Sequence, residues 1–237
     1  MTRSLWLRLA ALLLAGVGIV GTTTAETNAA SGPMYGAPSI GTCFNITMAV
    51  ANGAQNLPNS ARVACSAKHT QQVFAVFAAP ADSSVASAAS SDRMMTACSS
   101  RWTTLLGGGA KAIRSSYWWW EFTPTKAQQA MGAHWVMCTT GIQVKHGLLA
   151  TTKGRVRPLP QPIPAALSVC LSGNFKASNC VTPHMYHVAY TRVVTSAWGK
   201  IVARSESICA PAKPMPWSFR YAPAAKPNAF AVACFRA

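Results

Sequence analysis

Two short stretches of this sequence repeat one pattern: Cys65-Ser-Ala-Lys-His69 and Cys180-Val-Thr-Pro-His184. Each places a histidine four residues after a cysteine and leads into an apolar run, at residues 72–77 in one case and 186–190 in the other. The eight cysteines divide in the same way, into a first four and a last four: Cys43, Cys65, Cys98 and Cys138, then Cys170, Cys180, Cys209 and Cys234. Spacing that recurs at corresponding positions predicts an internal repeat.

The tryptophan-rich segments extend the match. Trp118-Trp-Trp-Glu-Phe-Thr-Pro124 aligns with Trp217-Ser-Phe-Arg-Tyr-Ala-Pro223, and each copy then reaches its last cysteine in a short apolar strand. We therefore predict a first module at residues 38–144 and a second module at residues 165–237. The second module is shorter, mainly between its first and second cysteines and between its third cysteine and the tryptophan strand.

The modules are joined by residues 145–164, which are basic in their first half and rich in proline in their second. Alternating prolines favour extended polyproline geometry, so we predict a semi-rigid linker. The linker also carries the best single patch of positive charge in the chain, and four residues in it are candidates for binding a polyanion: Lys145, Lys153, Arg155 and Arg157.

The order of elements within a module predicts the fold class. In the first module, short strands precede a helix that starts at Asp82 or Ser83 and ends near Leu106, and a strand at 117–123 follows. Residues 196–209 are the corresponding helix of the second module. We predict an α+β fold of two small disulfide-stapled modules, each an antiparallel sheet with one main helix.

Eight cysteines allow 105 pairings, so spacing alone does not determine the connectivity. Because small modules have marginal cores, we expect each module to be closed by its own disulfides. The expected pairs are Cys43–Cys65, Cys98–Cys138, Cys170–Cys180 and Cys209–Cys234.

The N-terminal segment predicts export. Residues 1–25 combine Arg3 and Arg8, an apolar run of 12 residues and small residues at the end, which is typical of a secretory signal peptide. The run is shorter than the ~20 residues of a membrane-spanning helix, although a retained N-terminal anchor is the alternative. We expect a secreted or extracytoplasmic protein of the cell envelope, where disulfides form.

Charge is the most informative functional feature. The chain has 21 Lys and Arg residues against five Asp and Glu residues, a net charge of +16, and removing Arg3 and Arg8 with the leader lowers it to +14. So few acids make a carboxylate-pair glycosidase or an acidic metal site improbable, whereas the large positive charge attracts polyanions and anionic membranes.

The recurring histidines, His69 and His184, have two interpretations. Together with Cys65 and Cys180 they could ligate zinc, which requires thiolates. Because disulfides compete for these cysteines in an exported chain, we instead expect structural histidines near a disulfide, no metal site and no cofactor.

Two catalytic arrangements of side chains each lack a required element. A nucleophilic Cys98 beside His134 would need a free thiolate. A serine hydrolase with a Ser-His-Asp triad would need a Gly-x-Ser-x-Gly nucleophile elbow, and this sequence does not contain that motif.

Strand alternation places Trp118, Trp120 and Phe122 on one face and leaves Trp119 on the other. Trp119 therefore either packs at the edge of the sheet or is exposed, and in the second case it is the candidate for stacking on a ligand.

The same residues resemble a known family. Ile40-Gly-Thr-Cys43, Val63-Ala-Cys65, His69, Cys98 and Cys138 are similar to the pattern of the septum formation-related domain, found in exported or membrane-anchored actinobacterial proteins. The resemblance covers residues 38–140 well and 165–237 more loosely. It implies a link to cell division and no established enzymatic chemistry.

These features together predict a non-enzymatic cell-envelope protein. Its expected partner is an anionic wall polymer or lipid surface, or a division protein. Two alternatives remain open: a secreted hydrolase whose site carries no recognisable motif, and a secreted protein that binds nucleic acid or another polyanion. Export and the lack of a recognition motif disfavour nucleic acid.

Overall fold

The structure is a computed structural model that describes residues 31–53, 56, 61–81, 84–89, 91–145, 148–210, 218–224 and 228–237. The predicted signal peptide (1–25), Asp82, Ser83 and Trp217 lie outside these residues. The strands of the first sheet are β1 (Cys43–Phe44), β2 (Arg62–Val63), β3 (Gln71–Ala78), β4 (Tyr117–Phe122), β5 (Trp135–Lys145) and β6 (Leu148–Leu149). Those of the second are β7 (Val169–Leu171), β8 (Ala177–Asn179), β9 (Tyr186–Thr195), β10 (Ser218–Pro223) and β11 (Ala229–Arg236).

Helices flank both sheets. They are α1 (Met48–Gly53), α2 (Val85–Ala89), α3 (Asp92–Leu105), α4 (Gly109–Arg114), α5 (Lys126–Ala130) and α6 (Ile201–Cys209). None of the helices in the described residues is long and apolar enough to cross a membrane.

The two sheets have the same strand order. The first runs β2-β1-β3-β5-β4, with β6 added to β5, and the second runs β8-β7-β9-β11-β10. All of the pairings are antiparallel. The predicted α+β class, with two antiparallel sheets stapled by disulfides, is confirmed.

A β-bulge also recurs at the same place in both sheets. Phe74 is passed over where β3 pairs with β5, and Ala189 is passed over where β9 pairs with β11. Both bulges lie beside the closing cysteine of the partner strand, Cys138 or Cys234. A bulge bends and twists its strand, so the two sheets share a local distortion as well as a topology.

The four disulfides join the cysteines in the expected pairs. Each module has one bridge between neighbouring strand ends, Cys43–Cys65 or Cys170–Cys180, and one between helix and central strand, Cys98–Cys138 or Cys209–Cys234. The second kind attaches the main helix directly to its sheet.

The helix predicted from Asp82 or Ser83 to Leu106 is two helices, so that prediction was wrong. Ser91 is extended (φ −70°, ψ 145°), and its hydroxyl accepts a hydrogen bond from the Met94 N–H, which caps α3. A serine that satisfies a free N–H of the first turn starts a helix rather than continuing one.

One hydrophobic core spans both modules. It contains Trp102 from α3, Ile113 from α4, Trp119 from β4 and, from β11 of the second sheet, Ala233 and Phe235. Helices α3 and α4 are therefore packed between the two sheets. Separate clusters cover the outer faces, with α1 on the first sheet and α6 on the second.

The edge strands β4 and β10 differ by one residue in register. Glu121 pairs with Cys138 in the first sheet, but Phe219 pairs with Cys234 in the second. The sequence alignment had matched Phe219 with Trp120, so that match was wrong by one residue. Because side chains alternate between faces, the shift turns Phe219 towards α6 and Arg220 towards the first module.

The predicted linker packs against the first module. Leu159 is buried in the shared core, where its N–H donates to the Leu106 carbonyl at 3.1 Å and its own carbonyl accepts from Lys111 Nζ at 3.0 Å. Contacts with the core therefore determine the position of the proline-rich part of the linker.

Candidate functional site

The basic part of the inter-module segment is an extended stretch held along the first module. Its side chains alternate: Lys153, Arg155 and Arg157 are exposed, whereas Thr152 and Val156 are half-buried. Period-two alternation in an extended chain places every second residue on one side. The three cations therefore project towards solvent from one side of the segment.

Backbone hydrogen bonds fix this stretch in place. Thr152 and His69 form an antiparallel bridge, with N–H to carbonyl distances of 2.8 and 3.0 Å. The Gly154 N–H donates to the Cys65 carbonyl at 2.7 Å, and the Val156 N–H donates to Oε1 of the buried Gln72 at 2.7 Å. The cations are thus presented from a pre-ordered backbone, so binding through them costs less ordering entropy than binding through a flexible linker.

The bridge brings a fourth cation, which was not predicted from the sequence, beside these three. Lys68 is exposed and precedes His69, while Lys153 follows Thr152. In an antiparallel pair these two positions face each other, and like charges at such positions repel. We call Lys68, Lys153, Arg155 and Arg157 the cationic strip.

Packing also holds the third member of the strip. Gly41 has φ +90°, and a Cβ on it would lie 3.3 Å from Cζ of Arg155. The glycine permits a backbone conformation that other residues rarely adopt, and it leaves room for the guanidinium. Lys145, the fourth predicted polyanion-binding residue, is exposed at the end of β5 and is not joined to the strip by these contacts.

The charge of the strip is uncompensated within the described part of the chain. The three carboxylates found there belong to Asp92, Glu121 and Glu206, which lie on α3, β4 and α6, and none makes an ion pair with a strip residue. Closely spaced cations without acidic neighbours form a surface that attracts polyanions.

The two repeated histidines occupy equivalent turns. His69 Nδ1 lies 3.0 Å from the Ala67 carbonyl, and His184 Nδ1 lies 2.9 Å from the Thr182 carbonyl. A carbonyl only accepts, so Nδ1 carries the proton in both neutral rings. Nε2 of the buried His69 is then free to accept from Thr152 Oγ1 at 3.3 Å, while His184 is exposed.

All eight cysteines, including Cys65, Cys98 and Cys180, are in disulfides. In this oxidised state they offer no thiolate to a metal or a substrate. The ring of His134 is 2.7 Å from the Pro80 carbonyl. Among the described residues, no three His, Cys, Asp or Glu side chains are grouped as a metal site would require.

Trp119, the candidate for stacking on a ligand, is only 6% exposed. The reason is that α3, α4 and the second sheet cover this face of β4. Trp119 nevertheless forms part of the wall of a cleft between the modules.

Comparisons with protein-family models, with curated proteins and with solved structures found no match to this chain. The four disulfides are typical of an extracellular or otherwise oxidising compartment.

Proposed function

We propose that this is an exported, non-enzymatic protein of the cell envelope that binds an anionic wall polymer through the cationic strip. The observation that carries the proposal is the presentation of Lys153, Arg155 and Arg157 from a backbone fixed by hydrogen bonds to the first module. A polymer with repeated phosphate groups suits a row of cations, since each contact releases a condensed counterion.

Export is part of the proposal. The four disulfides support an oxidising location, and the N-terminal pattern of Arg3, Arg8 and an apolar run supports secretion. The similarity to septum formation-related domains points to the same compartment. In such an envelope, phosphate-bearing wall polymers are abundant polyanions, whereas nucleic acid is not a regular constituent.

The test compares two variants that have the same net charge. The strip variant carries Lys68→Gln, Lys153→Gln, Arg155→Gln and Arg157→Gln. The control variant removes four exposed cations of the second module: Lys176→Gln, Lys200→Gln, Arg204→Gln and Arg236→Gln. Each protein is sedimented with isolated cell walls over a range of salt concentrations.

We expect the strip variant to dissociate from the walls at a lower salt concentration than the control variant. We also expect its affinity to depend less steeply on salt concentration. Equal losses in both variants would mean that net charge alone explains binding and would overturn the role of the strip. If the unmodified protein does not bind walls even at low salt, the envelope function itself is wrong. A clear preference for DNA over walls would favour the polyanion-binding alternative.

A further inference from the structure

A cleft of about 320 Å³ lies between the two modules. Its walls come from three elements, namely α3, the first-sheet edge strand β4 and the second-sheet edge strand β10. The lining residues are Met95, Trp118, Trp119 and residues 219–223. Apart from Arg220, the named side chains that form the walls are aromatic or apolar, and a volume near 300 Å³ is at the small end of sites for organic ligands.

Among the described residues of this wall Arg220 is the one cation, and the register shift of β10 brings it there. Its guanidinium carbon lies 4.6 Å from the centre of the Trp118 ring, which is a cation–π contact. One terminal nitrogen (Nη1) donates to the Ser115 carbonyl across the module boundary at 3.5 Å, a long contact.

The described residues fill only a small part of the hydrogen-bonding capacity of this guanidinium. A guanidinium has five N–H donors, and the contact with the Ser115 carbonyl uses one of them. No carboxylate in the described part of the chain forms an ion pair with it. Burial lowers the pKa of Arg220 to about 10, so the group stays cationic at neutral pH. The cleft therefore contains a partly desolvated positive charge that has no acidic partner among the residues that the structure describes.

The chemistry of the walls indicates the ligand. Tryptophan and methionine side chains favour a flat apolar body, and a single guanidinium favours one planar carboxylate, which can accept two parallel hydrogen bonds. A phosphate dianion would bring a second negative charge into a site that offers one positive charge. We propose that this cleft binds a small aromatic carboxylate, with the carboxylate on Arg220 and the ring against Trp118.

This site is separate from the cationic strip. The strip is an exposed row of charges suited to a polymer, whereas the cleft is a small apolar space with one charge. The proposal therefore goes beyond the proposed function, and each can fail without the other.

The test uses 2-naphthoate and its neutral counterpart 2-naphthamide as probes, with binding measured by calorimetry on the full, oxidised protein. We expect naphthoate to bind about tenfold or more tightly than naphthamide, because a charge-assisted hydrogen bond distinguishes the two. In Arg220→Met we expect this preference to disappear while weak binding of the amide remains. Trp118→Leu should weaken both probes.

Two further measurements keep the proposal falsifiable. Arg220→Lys keeps the charge and should retain part of the preference, even if Arg220→Met proves to be poorly folded by circular dichroism. The strip variant should bind naphthoate as the unmodified protein does. Equal affinity for acid and amide, or a preference that is lost in the strip variant and kept in Arg220→Met, would overturn the proposal.

Discussion

Gly109, the first residue of α4, lies directly against Ala231 of the second sheet, so that a Cβ built on Gly109 would be 3.3 Å from the Ala231 Cβ. Ala224 lies on the same side of this contact, 3.5 Å from the same built position. Small side chains therefore let a helix of the first module approach the second sheet closely, and this contact is a main element of the junction between modules.

Enlarging Ala231 should destabilise the junction. Ala231 is fully buried, so Ala231→Leu must displace α4, and overpacking of this kind costs about 1–3 kcal/mol. The free energy of unfolding, measured by urea denaturation with the disulfides intact, checks this. Val202→Leu, on the exposed side of α6, is the control and should change stability little. A similar loss in both variants would contradict a tight junction at Ala231.

The two modules should unfold together. A single cluster of buried side chains includes Trp102 and Trp119 of the first module and Ala233 and Phe235 of the second, so neither module can lose its packing without exposing the other. We expect one calorimetric transition whose van't Hoff enthalpy equals the calorimetric enthalpy. Two resolved transitions would show that the modules are energetically independent.

The disulfides should differ in their contribution to stability. Cys98–Cys138 closes a sequence separation of 40 residues, whereas Cys170–Cys180 closes one of 10. Loop-closure entropy gives about 4 kcal/mol for the first bridge and about 3 kcal/mol for the second. Replacing each pair by alanine and comparing the free energies of unfolding tests whether loss of Cys98–Cys138 destabilises the protein more. Because the Cys98 and Cys138 side chains are also buried, their removal should increase this difference. A larger loss from the shorter loop would contradict it.

Glu121 should give a pH-dependent stability difference. Burial raises the pKa of its carboxyl above the ordinary 4.5, opposed by a smaller effect of a backbone hydrogen bond. The folded state then binds a proton more strongly than the unfolded state. The contribution of Glu121 to stability is therefore complete below the ordinary pKa and is lost as pH rises through the folded pKa.

We accordingly expect Glu121→Gln to stabilise the protein at pH 7 relative to its effect at pH 4. The measurement is the difference in free energy of unfolding between variant and unmodified protein at each pH. Glu206→Gln, on the exposed side of α6, is the matched control for removing a carboxylate. If Glu121→Gln stabilises more at pH 4 than at pH 7, burial does not disfavour the ionised form.

Much of the second-module architecture follows from cysteine spacing and chain periodicity. The offset between Cys65 and His69 recurs at Cys180 and His184, and both histidines form the same Nδ1 contact two residues back. Such local geometry depends on residues close in the chain, so a sequence pattern can predict it.

The break between α2 and α3 was missed because the helical spacing of apolar residues was given more weight than the capping preference of Ser91.

The sequence by itself determined the excess of positive charge and predicted the α+β class and the two antiparallel sheets. It gave only an expectation for the cysteine pairs, which the four disulfides confirm. Only the tertiary structure decided that Lys68 joins the strip, that Trp119 is covered and that Arg220 faces Trp118. These three depend on contacts between residues far apart in the chain and on a one-residue register difference between edge strands. Because a strand's side chains alternate with period two, that single step selects the face on which Arg220 lies, and local sequence does not encode it.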